Sequence, residues 1–328
     1  MGESKTGPVI IILCHSRHRH LTRTLEALTS ARGLATHRVV VVVDGNWPLT
    51  IAAVEKAITP DALIVMNHSE SSLPRYRILK NLQVGLSTAF DSFGASYSIV
   101  LEDDVVVCDD FLDFIGAAHR ISHRDPFYRA VNAFSDLPPS DQHAPNEYFR
   151  LNYGVGWGWA IPRRTYSKVK GLFRSEADLH WDAMVEPYMR SGFVISPLRS
   201  RVTNIGFDGS GAHSGSASDR KLGKALERSV LAPDEWSSSF TNMKRARVRA
   251  TWRDDAISLD RLTLLGRLAV YALGSLSLVM TKLISESEMR NLTRTTVLAR
   301  KLRKKILRNV IPAFGRPETF VARFFSRK

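Results

Sequence analysis

The sequence predicts an α/β protein built on a mostly parallel sheet. Three observations carry that prediction. Apolar runs alternate with segments of helical period from Val9 to Leu101. Arg17, Asp44 and Glu102-Asp103-Asp104 each fall just past the end of an apolar run, where parallel sheets place their ligands. The last of these runs, Ser98 to Leu101, ends in three consecutive carboxylates.

Taken in order, Val9 to Leu13 is a strand, followed by a basic turn from Cys14 to His20 and a helix from Leu21 to Ser30. Arg38 to Val43 is a second buried strand that stops at Asp44-Gly45, a turn signal. Ile51 to Ile58 is helical and Ala62 to Met66 a third strand. From Tyr76 to Phe90, apolar residues at 78, 79, 82, 86, 89 and 90 mark one helix face. Ile99 to Leu101 closes the series, and a helix runs from Asp110 to about His119. Between Leu151 and Ala160, glycines alternate with tryptophans, a pattern of close backbone approach beside flat rings. A helix is expected over 177–190, then a Gly/Ser-rich loop over 204–215.

Three like charges at the mouth of a strand repel one another. A fold tolerates them when a cation sits among them, and a divalent ion bound through oxygen is the usual solution. Val105 to Val107 then returns the chain to the interior, so the acids are held at a kink on the edge of the core.

The net charge of +14 is unevenly spread: beyond Ser285 there are twelve basic residues and three acidic ones. Thr296 to Ile311 places Leu298, Leu302, Ile306, Leu307 and Val310 on one face and six Lys or Arg residues around it, the pattern of a membrane-surface helix. The uncharged run from Leu268 to Thr281 is shorter than the ~20 residues a membrane span needs, which favours an interfacial or core helix. Cys14 and Cys108 lie in apolar runs and are expected to be buried thiols. Nothing in Met1 to Pro8 resembles an export signal. The expected organisation is a catalytic domain over 1–215, a cover or linker over 216–260, and a helical basic extension over 261–328. The charge alone permits a non-enzymatic membrane- or nucleic-acid-binding protein, but carboxylates at the presumed site argue against nucleic acid. A nucleotidyltransferase would carry glycines in the loop after its first strand, which Cys14-His-Ser-Arg17 lacks.

Pro8 to Arg17 resembles the opening of the inverting N-acetylglucosaminyltransferases of the N-acetylglucosaminyltransferase I type. Val100-Leu-Glu-Asp-Asp104, with the acidic-aromatic segment after it, is similar to that family's Glu-Asp-Asp motif. Gly154-Val-Gly-Trp-Gly-Trp159, Trp181-Asp182 and the Phe207…Gly211…Gly215 loop follow in the same order. The resemblance spans roughly residues 8 to 216 and implies a GT-A fold, a Rossmann-like α/β/α sandwich holding a nucleotide-sugar site.

By that resemblance the chain transfers a sugar, N-acetylglucosamine by default, from a UDP-sugar to a saccharide or lipid-linked acceptor with Mn²⁺ or Mg²⁺. Asp104 is the implied metal ligand; His213, in the later loop, is by its own chemistry a candidate for a phosphate or the metal. Arg17, Asp44, Glu102, Asp103, Trp181 and Gly211 are implied to bind the nucleotide-sugar. Asp182 is the implied base for the acceptor hydroxyl, with Glu186 one turn further along. At 81 the chain has Asn, and at 213 His, where the family has His and Ser. The basic extension suits a peripheral enzyme on the cytoplasmic face of an anionic membrane, where each Lys or Arg near the surface contributes about 1 kcal/mol.

Overall fold

The computed structural model describes residues 7–68, 73–135, 144–152, 156–173, 185, 188–208, 243–245, 267, 268, 271, 272 and 275. From the N-terminus the elements are β1 (Val9–Cys14), α1 (His18–Ser30), β2 (Arg38–Asp44), α2 (Pro48–Ala57), β3 (Ala62–Met66) and α3 (Pro74–Ser87). There follow β4 (Tyr97–Glu102), β5 (Val105–Val107), α4 (Phe111–Ser122), β6 (Tyr128–Asn132), β7 (Glu147–Leu151), β8 (Trp159–Pro162) and α5 (Arg163–Val169). The described chain ends with β9 (Phe193–Pro197), β10 (Val202–Asn204) and β11 (Lys244–Arg245).

Nine strands form one sheet in the order β11-β7-β9-β6-β8-β4-β1-β2-β3. The predicted strands make its parallel half: β3, β2, β1 and β4 are all parallel. The other half is mixed, because β8 runs antiparallel between β4 and β6 and β7 antiparallel beside β9. The sequence analysis assigned no strand to β6, β7 or β8. Each is short and carries polar or aromatic residues, so local pattern separates it poorly from loop.

Strand alternation divides the interior into two layers. Ile10, Ile12, Val41, Val43, Ile99 and Leu101 face α1 and α4, packing against Leu21, Leu25, Phe111 and Phe114. Val9, Ile11, Val40, Val42 and Val100 face the other way, against Leu79, Leu82 and Leu86 of α3 and Tyr166 and Val169 of α5. Helices on both faces of a mainly parallel sheet give the three-layer α/β sandwich expected from the sequence. Both cysteines are buried.

β5 leaves the main sheet and pairs antiparallel with β10. That small ribbon folds over the end of β4 and holds the acidic turn against the body. The predicted helix over 177–190 lies mostly outside the described residues, as does the 215/216 boundary; Val185 and 188–190 are helical. Within the basic extension, Tyr271 is buried and stacks on Phe127 at 4.5 Å. The amphipathic stretch over 296–311 lies outside the described residues. Among the described residues, no helix is long and apolar enough to cross a membrane.

Candidate functional site

β1, β2, β3 and β4 deliver their carboxyl ends to one edge of the sheet, and the candidate residues collect there. β1 ends at Cys14, and Arg17 follows as the N-cap of α1. β2 ends at Asp44, and β4 at half-buried Glu102, followed by Asp103 and Asp104 in the turn before β5.

Asp103 and Asp104 are both nearly inaccessible, at 3% and 6% exposure. Two carboxylates this deep need partners. Arg17 supplies the nearest charge: Nη2 donates to Asp103 Oδ1, and Nη1 lies 2.8 Å from Asp104 Oδ2. The His15 amide donates to Asp103 Oδ2 at 3.3 Å, and the Thr24 hydroxyl from α1 to the Asp103 carbonyl at 3.0 Å. Asn204 Nδ2 reaches Asp104 Oδ1 at 3.4 Å, while the Ile205 amide donates to the Asp104 carbonyl at 2.8 Å. Burial pushes the Asp104 carboxyl above the usual carboxylate range, with Arg17 opposing the shift and Asp103 adding to it. Burial also disfavours the Arg17 charge, but the Asp104 and Asp103 carboxylates outweigh it and raise its pKa. The acidic run predicts a divalent cation here, and the family resemblance implies Arg17 on the nucleotide-sugar; in this structure Arg17 is paired with Asp103 and Asp104 themselves.

The segment from Asn204 to Asp208 crosses above the turn. At Gly206 a Cβ would overlap the Asp104 carboxylate and come within 3.0 Å of Arg17 Nη1, so glycine is required by proximity. Asp208 pairs with His20 Nε2 at 3.0 Å. Phe207 meets Trp157 edge-on at 5.6 Å, and Trp157 meets Phe134 at 4.9 Å. The glycine-tryptophan pattern acquires a reason here. Gly158 has a φ of +64°, and a Cβ would lie 2.7 Å from Val202 and 3.2 Å from Phe111.

A second polar cluster surrounds Asp44, which is 7% exposed. His68 Nε2 hydrogen-bonds Asn81 Oδ1 at 2.8 Å and lies 3.7 Å from Asp44 Oδ1. Arg77 Nε lies 3.6 Å from Asp44 Oδ2 and, among the described residues, has no hydrogen-bond partner. Trp47, 40% exposed, donates its indole N–H to the Asp44 carbonyl at 2.8 Å and meets the His15 ring at 5.0 Å. Burial lowers the His15 pKa, so that ring is held neutral.

The structure therefore brings Arg17, Glu102, Asp103 and Asp104 together, with Asp44 at the end of the next strand. Trp181, Asp182, Glu186, Gly211 and His213 lie outside the described residues. Sequence reasoning missed His68, Arg77, Asn204 and Gly206. Arg77 lies on a helix the sequence predicted and His68 just beyond a predicted strand, but nothing local marked them; Asn204 and Gly206 stood in the loop motif without an assigned role.

Divalent Mg²⁺ and Mn²⁺ favour carboxylate oxygen and retain several waters. The donor set at the turn suits them: Asp104 offers a buried carboxylate under a glycine that leaves it room, with Asp103 beside it. Among the described residues no group of three or more His, Cys, Asp or Glu side chains is gathered as a metal cage. A site of one or two carboxylates completed by water and ligand oxygens needs no such cage.

The chain is 25% identical over 222 residues to an alpha-1,3-mannosyl-glycoprotein 2-beta-N-acetylglucosaminyltransferase of Arabidopsis thaliana. That match covers 64% of this chain and 49% of the relative, so the chain spans about half the length of the curated relative. Among solved structures, S. aureus TarS 1-349 aligns with a TM-score of 0.46 at 13% identity, over 60% of this chain and 59% of that one. The mannosyltransferase PcManGT from Pyrobaculum calidifontis, solved with GDP-Man and Mn²⁺, aligns with a TM-score of 0.40 at 13% identity, over 98% of this chain and 88% of that one. The profile of the GNT-I family matches residues 2–225, more than half of the 328, and the chain belongs to that family.

Proposed function

We propose that this chain is an inverting glycosyltransferase that moves a sugar, by family precedent N-acetylglucosamine, from a nucleotide-diphosphate sugar to a saccharide or lipid-linked acceptor. The observation that carries the reading is the pair of buried carboxylates, Asp103 and Asp104, at the carboxyl end of a parallel sheet. Such a pair is costly to bury and serves poorly as a structural device.

Asp104, with Asp103 beside it, would hold a divalent cation, which supplies positive charge to the departing diphosphate. Arg17, fixed at the N-cap of α1, adds a guanidinium fork suited to phosphate oxygens. Asp44 would accept from a base N–H, with the Arg77 Nε–H beside it at 3.6 Å. Uracil presents an N–H next to a carbonyl, the complement of an acceptor beside a donor. The buried, unpartnered Arg77 Nε would gain an acceptor from such a base. UDP is the nucleotide the family resemblance implies, and its base fits this pair. Asp182 takes the proton of the acceptor hydroxyl as the base, and Glu186 orients the acceptor. The basic C-terminal extension holds the enzyme at the cytoplasmic face of an anionic membrane.

The test is release of nucleoside diphosphate from a panel of nucleotide sugars with Mn²⁺ and candidate acceptors. Asp104→Asn should remove turnover. Asp182→Asn should remove transfer while leaving UDP binding intact. Equal turnover by Asp104→Asn and the wild type would sink the assignment.

A further inference from the structure

Arg17 occupies the charge position that a metal at Asp104 would fill. Its side chain is 20% exposed, whereas those of Asp103 and Asp104 are 4% and 8% exposed. The arginine side chain keeps some contact with solvent, while Nη1 is itself buried against Asp104. The two halves of its fork are held differently. Nη2 makes a hydrogen bond to Asp103. Nη1 lies 2.8 Å from Asp104 Oδ2 but, among the described residues, has no aligned hydrogen-bond partner. The Asp104 contact is a charge contact of poor geometry.

We propose that Arg17 is an internal counterion that competes with the divalent metal for Asp104 and is exchanged onto the donor's diphosphate when metal and nucleotide bind together. This rests on the metal-dependent reading of the site. A cation arriving alone must displace a bound positive charge and gains only Asp104. Arriving with a diphosphate, it offers the displaced guanidinium a new anionic partner. One positive charge enters the acid turn and one leaves it for the phosphates, so the buried acids are never left uncompensated. Metal and nucleotide then bind with positive coupling, because each removes part of the cost of the other. The role of Arg17 is positioning: it keeps the empty acid turn folded and delays metal capture until the donor is present.

The experiment is a Mn²⁺ titration of the full chain by electron paramagnetic resonance of free Mn²⁺ at about pH 8, where protons compete least with carboxylates. It is run with and without UDP on the wild type, Arg17→Gln, Arg17→Lys and Asp104→Asn. The wild type should bind Mn²⁺ at least about tenfold more tightly with UDP than without it. Arg17→Gln should bind Mn²⁺ alone about tenfold more tightly than wild type and lose the enhancement by UDP. Arg17→Lys, which keeps the charge without the fork, should fall between them. Thermal melting without metal should be lower for Arg17→Gln, and Mn²⁺ should restore it. If Arg17→Gln binds Mn²⁺ no more tightly than wild type while Asp104→Asn loses Mn²⁺, the competition is wrong and the metal site stands. If Asp104→Asn binds Mn²⁺ like the wild type, the metal reading fails, and this proposal with it.

Discussion

Asn204 and Asp104 are separated by 100 residues and meet at the acidic turn, Nδ2 to Oδ1 at 3.4 Å. The contact ties the ribbon of β5 and β10 to the end of β4. It also places Gly206 directly above the carboxylate, with its amide held by Asn204 Oδ1 at 2.8 Å. The site is thus closed by a segment that the linear sequence keeps far from it.

That closeness makes Gly206→Ala a sharp probe. The added methyl overlaps Asp104 and crowds Arg17, so nucleoside diphosphate release should fall at least about tenfold. The loss of stability should stay within the ~1–3 kcal/mol typical of local overpacking. Steady-state kinetics alongside urea denaturation separates the two effects.

Arg201 and Asp110 form a fully buried pair, Nε 3.1 Å from Oδ1, both side chains at 0% exposure. Asp110 is the N-cap of α4, and the Arg201 amide donates to the Ala133 carbonyl, so the pair joins α4, the strand after it and β10. Arg201→Met alone strands a buried carboxylate and should cost about 3–5 kcal/mol. Combining it with Asp110→Leu should recover much of that loss. A double-mutant cycle in urea measures the coupling.

His119 should make the fold less stable in acid. Burial, with His123, Arg164 and Arg120 adding repulsion, lowers its pKa from 6.5 to about 4. Its ring lies 4.5 Å from that of Tyr97, whose own pKa burial raises to about 12. The folded state keeps His119 neutral between those two values while the unfolded chain protonates it. Stability is therefore full above pH 6.5 and falls as the pH drops toward 4. Allowing for partial exposure, the loss is on the order of 1–2 kcal/mol. Urea midpoints at several pH values should show this slope, and His119→Gln should flatten it.

Asp44→Asn replaces an acceptor with a group that can donate, beside Arg77 and His68. UDP affinity should weaken about tenfold or more, in line with losing a charged hydrogen bond. Preference for UDP over GDP should narrow as well. Isothermal titration with both nucleotides checks this, and equal weakening for both would place Asp44 away from the base.

Local pattern was enough for the parallel half of the sheet. β1, β2 and β4 are short, almost purely apolar runs buried on both faces, and β3, at the sheet edge, is equally apolar though only half-buried; such strands announce themselves without a partner. The mixed half was opaque for the opposite reason. β6 and β7 include Arg129, Asn132, Glu147 and Arg150, whose burial or exposure depends on what packs around them, and β8 is only four residues long. Arg129 is 8% exposed only because Ser191 and the Pro126 carbonyl receive its N–H groups.

The candidate site divides along the same line. By itself, the sequence determined that three acids end an apolar strand and that a basic turn and an Asp-Gly turn end two others, because these are properties of adjacent residues. The tertiary structure decided that the counter-charge at Asp103 and Asp104 is Arg17, that His68, Asn81 and Arg77 gather at Asp44, and that Gly206 caps the turn. Those choices depend on strand order and on the fold of β10 over β5, and contacts between residues so distant leave no periodicity along the chain.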